Sequence, residues 1–157
     1  MRKKIKWQIG VGSMVIGVLA LQGAYREHVQ VLESLGIGSQ LIKSKEGLEG
    51  LDALIIPGGE STAMGKLLES FSMKETLKCM IKDGFPVWGT CAGMILLAKD
   101  IGREDAHLKA IDIKVKRNAY GRQLGSFETQ GLFNGKMIPM TFIRAPYIEK
   151  VGEAVKV

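Results

Sequence analysis

Pro86-Val87-Trp88-Gly89-Thr90-Cys91-Ala92-Gly93 runs from a short apolar strand into the helical-looking Met94-Ile95-Leu96-Leu97-Ala98-Lys99. A cysteine between glycines thus falls where a strand turns into a helix. A nucleophile elbow needs that turn, because it lifts one side chain above the sheet edge, and small neighbours leave room for strained dihedrals and a substrate. Cysteine suits the position chemically. The positive end of a helix dipole favours thiolate over thiol, and backbone N–H groups at a helix start can stabilise an oxyanion. A buried structural cysteine beside a tight turn fits the same short pattern, since free cysteine is among the most buried residue types. The flanking sequence must separate the two readings.

Upstream, Ala53-Leu54-Ile55-Ile56 predicts a buried strand ended by Pro57-Gly58-Gly59, with helices over residues 62–68 and 74–82 before Val87-Trp88. Further back, Val15-Ile16-Gly17-Val18-Leu19-Ala20-Leu21 reads as a first buried strand and Gln22-Gly23 as a turn. Residues 25–35 form a helix with Val29, Leu32 and Leu35 on one face, and Gly36 stops it. Residues 39–42 make a short strand and residues 48–51 a connecting turn. Strands alternating with helices predict an α/β fold: three-layer, flavodoxin-like, with a mostly parallel sheet and helices on both faces. Ligands of such sheets sit at the carboxyl ends of strands, where Pro57-Gly58-Gly59 and Gly89-Thr90-Cys91 both fall. Residues 112–115, 126–129 and 140–143 read as short strands of a mixed region.

A length of 157 residues bounds the chain at one domain of ordinary size, and 46% hydrophobic with 24% charged residues is a globular composition. The net charge of +6 is spread along the chain, though Arg2, Lys3, Lys4 and Lys6 supply much of it. No interleaving of basic and aromatic residues marks a nucleic-acid surface. Cys79 belongs to a helical pattern, so it and Cys91 do not imply a disulfide framework. Two cysteines and two histidines make no metal-ligand cluster, and no metal is expected. The basic start and the apolar stretch after it superficially resemble a secretory signal, but that stretch is equally the first strand of the sheet. A cytoplasmic, membrane-free protein is expected, with residues 1–13 as an N-terminal extension and 14–157 as the domain.

Together these segments resemble the class I, or triad, glutamine amidotransferases, and more narrowly the group that forms the glutaminase subunit of pyridoxal 5'-phosphate synthase. The resemblance runs from about Met14 to the last residue. Ala20-Leu21-Gln22-Gly23 with Arg26-Glu27-His28 is similar to that family's opening, Pro57-Gly58-Gly59-Glu60-Ser61-Thr62 to its glutamine loop, and Gly89-Thr90-Cys91-Ala92-Gly93 to its nucleophile. Arg117-Asn118-Ala119-Tyr120-Gly121-Arg122-Gln123 and Phe142-Ile143-Arg144-Ala145-Pro146 complete the set. Each motif alone is weak, and Pro57-Gly58-Gly59 by itself is also an ordinary turn. Their family order and similar intervals carry the resemblance.

The resemblance implies that Cys91 attacks the side-chain amide of L-glutamine, forms a glutamyl thioester and releases ammonia. It implies backbone N–H groups of Gly59 and Ala92 at the oxyanion, Glu60 and Ser61 on the substrate, and Arg117, Ile143 and Arg144 lining the glutamine pocket. An arginine fork complements a carboxylate, although Arg117 alone is also a solvated charge at a strand end. No cofactor is implied. The implied partner is a barrel-shaped synthase subunit that takes the ammonia into pyridoxal phosphate (vitamin B6) biosynthesis. His28 is expected far from Cys91, near the partner interface, and His107 in a loop; neither is a candidate base. The family's catalytic His and Glu belong to a later Ser-Phe-His-Pro-Glu segment, and this chain stops at Val157. The sequence therefore reads as C-terminally truncated, its sheet incomplete and its stability marginal. The missing imidazole is worth roughly a hundredfold to ten-thousandfold in rate, so little glutaminase activity is expected of the chain alone. The alternative to a glutaminase is a catalytically impaired fragment or non-catalytic binding subunit of the same lineage.

Overall fold

Strand β1 (Val15–Leu19) pairs in parallel with β2 (Gly38–Ile42) on one side and β3 (Ala53–Ile56) on the other, and β3 pairs in parallel with β4 (Val87–Gly89). The order β2-β1-β3-β4 is the flavodoxin-like one. The computed structural model describes residues 14–102, 106–117, 127–142 and 145–157; the proposed extension at 1–13 lies outside them. The chain divides into two compact units, Met1–Gly93 and Met94–Val157.

In the first unit the helix α1 (Tyr25–Ser34) covers one face of the sheet. Its Leu32 packs with Val18 and Ile55, flanked by Ile16, Val29 and Ile37. Alternation along a strand sends Leu19, Leu54 and Ile56 the other way, and they too are fully buried. Burial on both faces is why these strands read as unbroken apolar runs. Helices α2 (Ser61–Ser70) and α3 (Lys74–Lys82) bring Met64, Leu68 and Leu77 into the core. Helix α2 starts one residue before the expected position because Glu60 caps it, its carboxylate accepting the N–H groups of Thr62 at 3.0 Å and Ala63 at 2.7 Å. A single 3-10 turn, Glu46–Leu48, stands slightly ahead of the connecting turn expected at 48–51.

The elbow helix ends earlier than the sequence suggests. Helix α4 spans only Ala92–Leu97, and Ala98–Asp100 is a strand, β5, where the sequence suggests helix through Lys99. The carbonyls of Leu96 and Leu97 accept the N–H groups of Leu108 and Ala110, each at 2.9 Å, so a returning segment takes the acceptors that another helical turn would use.

In the second unit β5 pairs in parallel with β6 (Ile111–Lys116). A hairpin follows, β7 (Phe127–Phe133) and β8 (Lys136–Phe142), and then β9 (Tyr147–Val151), antiparallel to β6. Ile95, Ala98, Ile101, Ala106, Ile113 and Val115 form this unit's core. The hairpin turns through Asn134 (φ 47°) and Gly135 (φ 77°), the left-handed pair that a two-residue type I′ turn requires. Its strands are longer than the expected segments, and β9 was not anticipated. Among the described residues no helix is long and apolar enough to cross a membrane.

Candidate functional site

The elbow forms as the sequence suggests. Cys91 is exposed and adopts a left-handed backbone, φ 49°, which is uncommon for any residue but glycine and costs on the order of 1–3 kcal/mol. Main-chain bonds hold it on either side: the Thr90 N–H donates to the Ile56 carbonyl at 3.0 Å, and the Gly93 N–H to the Thr90 carbonyl at 2.8 Å. Gly93 lies so close to β3 that a Cβ there would collide with the Ile56 carbonyl. Exposure and backbone geometry together set aside the buried structural cysteine. Ala92 opens α4, so its N–H belongs to the first turn, where the helix offers no acceptor.

The loop after β3 stands next to the elbow because Ile56 and Gly89 are register partners. Gly58 faces the elbow: a Cβ on it would lie 3.5 Å from the Cβ of Cys91. Gly59 faces the loop after β1 instead, where a Cβ would come within 2.5 Å of Gln22 Oε1 and 3.0 Å of the Gly23 Cα. Gln22 Oε1 accepts the Glu60 N–H at 2.9 Å, and the Ala24 N–H donates to the Gly58 carbonyl at 2.9 Å. Residues 22–24 therefore brace the glycine-rich loop from the adjacent strand end. The sequence marks Gln22-Gly23 as a turn; its further part in bracing the loop follows from its place at the carboxyl end of β1, the neighbour of β3.

The expected site residues fare differently. Cys91, Gly59 and Glu60 lie on two adjacent loops of the first unit, and Ala92 and Ser61 open the helices that follow them. Glu60 spends both carboxylate oxygens on the cap of α2, and Ser61 is buried at 3% exposure. Arg117 follows β6 in the second unit and is half-buried. Ile143 and Arg144 lie outside the described residues. The expectation that His28 lies far from Cys91 is corrected: its Nε2 lies 3.2 Å from Oγ1 of Thr90, the residue before Cys91, and its ring meets Trp88 edge to face at 5.7 Å. Partial burial lowers the His28 pKa below 6.5, with Glu27 opposing the shift. His107 is half-buried in the segment between β5 and β6.

Fold and site define a class of α/β proteins that carry an exposed cysteine on a strand-to-helix elbow, beside a glycine-rich loop at the carboxyl edge of a parallel sheet. The SNO glutamine amidotransferase family matches residues 18–157, and the chain belongs to it. The chain is 53% identical over 150 residues to the pyridoxal 5'-phosphate synthase subunit PdxT of Haemophilus influenzae (strain PittGG), covering 92% of this chain and 78% of that protein. It is 54% identical over 149 residues to the PdxT subunit of Corynebacterium jeikeium (strain K411), covering 92% and 76%. A crystal structure of a glutamine amidotransferase matches with a TM-score of 0.85 and 43% identity over 94% of this chain and 78% of that one. By family the chain is an enzyme, a glutamine amidotransferase, and the impaired-fragment reading is not favoured by these matches.

Proposed function

We infer that this protein is the glutaminase subunit of a pyridoxal 5'-phosphate synthase, hydrolysing L-glutamine to L-glutamate and ammonia. The observation that carries the reading is the exposed Cys91 at φ 49°, on the elbow that follows β4 beside the glycine-rich loop that follows β3. The Cys91 sulfur attacks the side-chain amide carbon, and negative charge develops on the amide oxygen. Backbone N–H groups of Gly59 and Ala92 receive that charge; one such donor is typically worth about 100- to 1,000-fold in rate. Collapse breaks the C–N bond, and the nitrogen leaves as ammonia with the proton given up by the thiol. Water then cleaves the glutamyl thioester, which returns the thiol and releases glutamate.

Glu60, Ser61, Arg117, Ile143 and Arg144 are assigned to the glutamine pocket, with residues 14–157 as the amidotransferase domain. The ammonia passes to a barrel-shaped synthase subunit, and both partners work in the cytoplasm. The test is ammonia release from L-glutamine, measured with and without the synthase subunit. Cys91→Ser is expected to reduce release to background, and turnover that survives this substitution refutes the assignment.

A further inference from the structure

His28, Trp88 and Thr90 form a cluster that the glutamine chemistry leaves unused. Thr90 is tied to three elements at once: its N–H to β3, its carbonyl to the first turn of α4, and its hydroxyl to His28 on α1. The first two ties belong to the main chain and do not depend on residue type. The third does, since it needs a hydroxyl at 90 and a ring nitrogen at 28. Trp88 meets that ring at an interplanar angle of 76°, which limits its rotation. A cysteine held at φ 49° persists only where its surroundings over-determine it, and Thr90 is its immediate neighbour in the chain.

We propose that His28 is a positioning residue for Cys91, fixing the elbow through its hydrogen bond to the Thr90 hydroxyl. The proposal rests on Cys91 being the nucleophile, but it is read on the thiol rather than on turnover. Either neutral tautomer serves, because a hydroxyl both donates and accepts. Burial favours that neutral form.

The experiment is the rate of Cys91 alkylation by iodoacetamide in the full chain, followed by peptide mass spectrometry. The exposed Cys79 on α3 serves as an internal reference. Thr90→Val removes the hydroxyl at constant shape, Thr90→Ser keeps it, and His28→Leu removes the ring nitrogen. Thr90→Val and His28→Leu are expected to slow Cys91 relative to Cys79 by about three- to tenfold, the scale of one hydrogen bond. Thr90→Ser should stay near the parent rate, and the double variant should lose no more than the larger single loss, because both remove one shared bond. A merely structural role would slow neither thiol selectively. Unchanged or faster Cys91 labelling in both single variants, or additive losses in the double, overturns the proposal. Failure of the glutaminase reading shows separately, as absent glutamine turnover while Cys91 still alkylates.

Discussion

Glu60 binds two backbone N–H groups of α2 with its carboxylate and gives its own N–H to Gln22. Its side chain is therefore bound to the fold before any substrate arrives. Glu60→Ala is expected to cost about 1 kcal/mol of stability through the lost cap, read as a lower urea midpoint. An unchanged midpoint would mean that α2 does not depend on this cap. His28 carries a second residue-scale expectation. Its folded-state pKa lies below the unfolded 6.5, so as pH falls the unfolded chain takes up the proton first. Stability is then lost on acidification through the window below 6.5 and regained as pH rises through it. His28→Gln does not titrate, so its urea midpoint should fall less steeply than the parent's between about pH 7.5 and 5.5. An equal or steeper fall would refute burial as the dominant influence on this ring.

At the scale of elements, the elbow can pass as close to β3 as it does only because position 93 has no side chain. Gly93→Ala puts a carbon onto the Ile56 carbonyl, which belongs to a central strand and cannot swing aside. The loss should be about 2 kcal/mol or more, seen as a reduced melting temperature; full stability in the variant would contradict the packing. The elbow and the sheet were legible because two-sided burial writes a parallel strand as an apolar run, and Ala53–Ile56 was read to the residue. The second unit was less legible because its pairing is decided across the sheet. Ala98–Asp100 continues a helical pattern but is captured by β6. Most of β9 is exposed, so periodicity hardly marks it. The hairpin does carry a local signal, the Asn134-Gly135 pair at its turn. The place of His28 is hidden for a related reason: helical periodicity says which face is inward, but not that the end of β4 lies opposite.

The whole molecule has a problem of delivery that its residues alone do not solve. Ammonia formed at an exposed cysteine at the carboxyl edge of the sheet is released into water unless a partner covers that edge. In water it is protonated and loses its nucleophilicity, so the proposed function requires hydrolysis to be coupled to a second protein. Glutamine and free ammonium salt then become distinguishable nitrogen sources. In a mixture of this chain with its synthase subunit, both sources should support pyridoxal phosphate formation, followed by absorbance. Cys91→Ser should abolish the glutamine-supported reaction and leave the ammonium-supported one within about twofold of the parent, because the thiol is needed only to form the thioester. Loss of both would mean that Cys91 shapes the partner rather than the chemistry. Survival of the glutamine-supported reaction would mean that nitrogen is released somewhere other than this elbow.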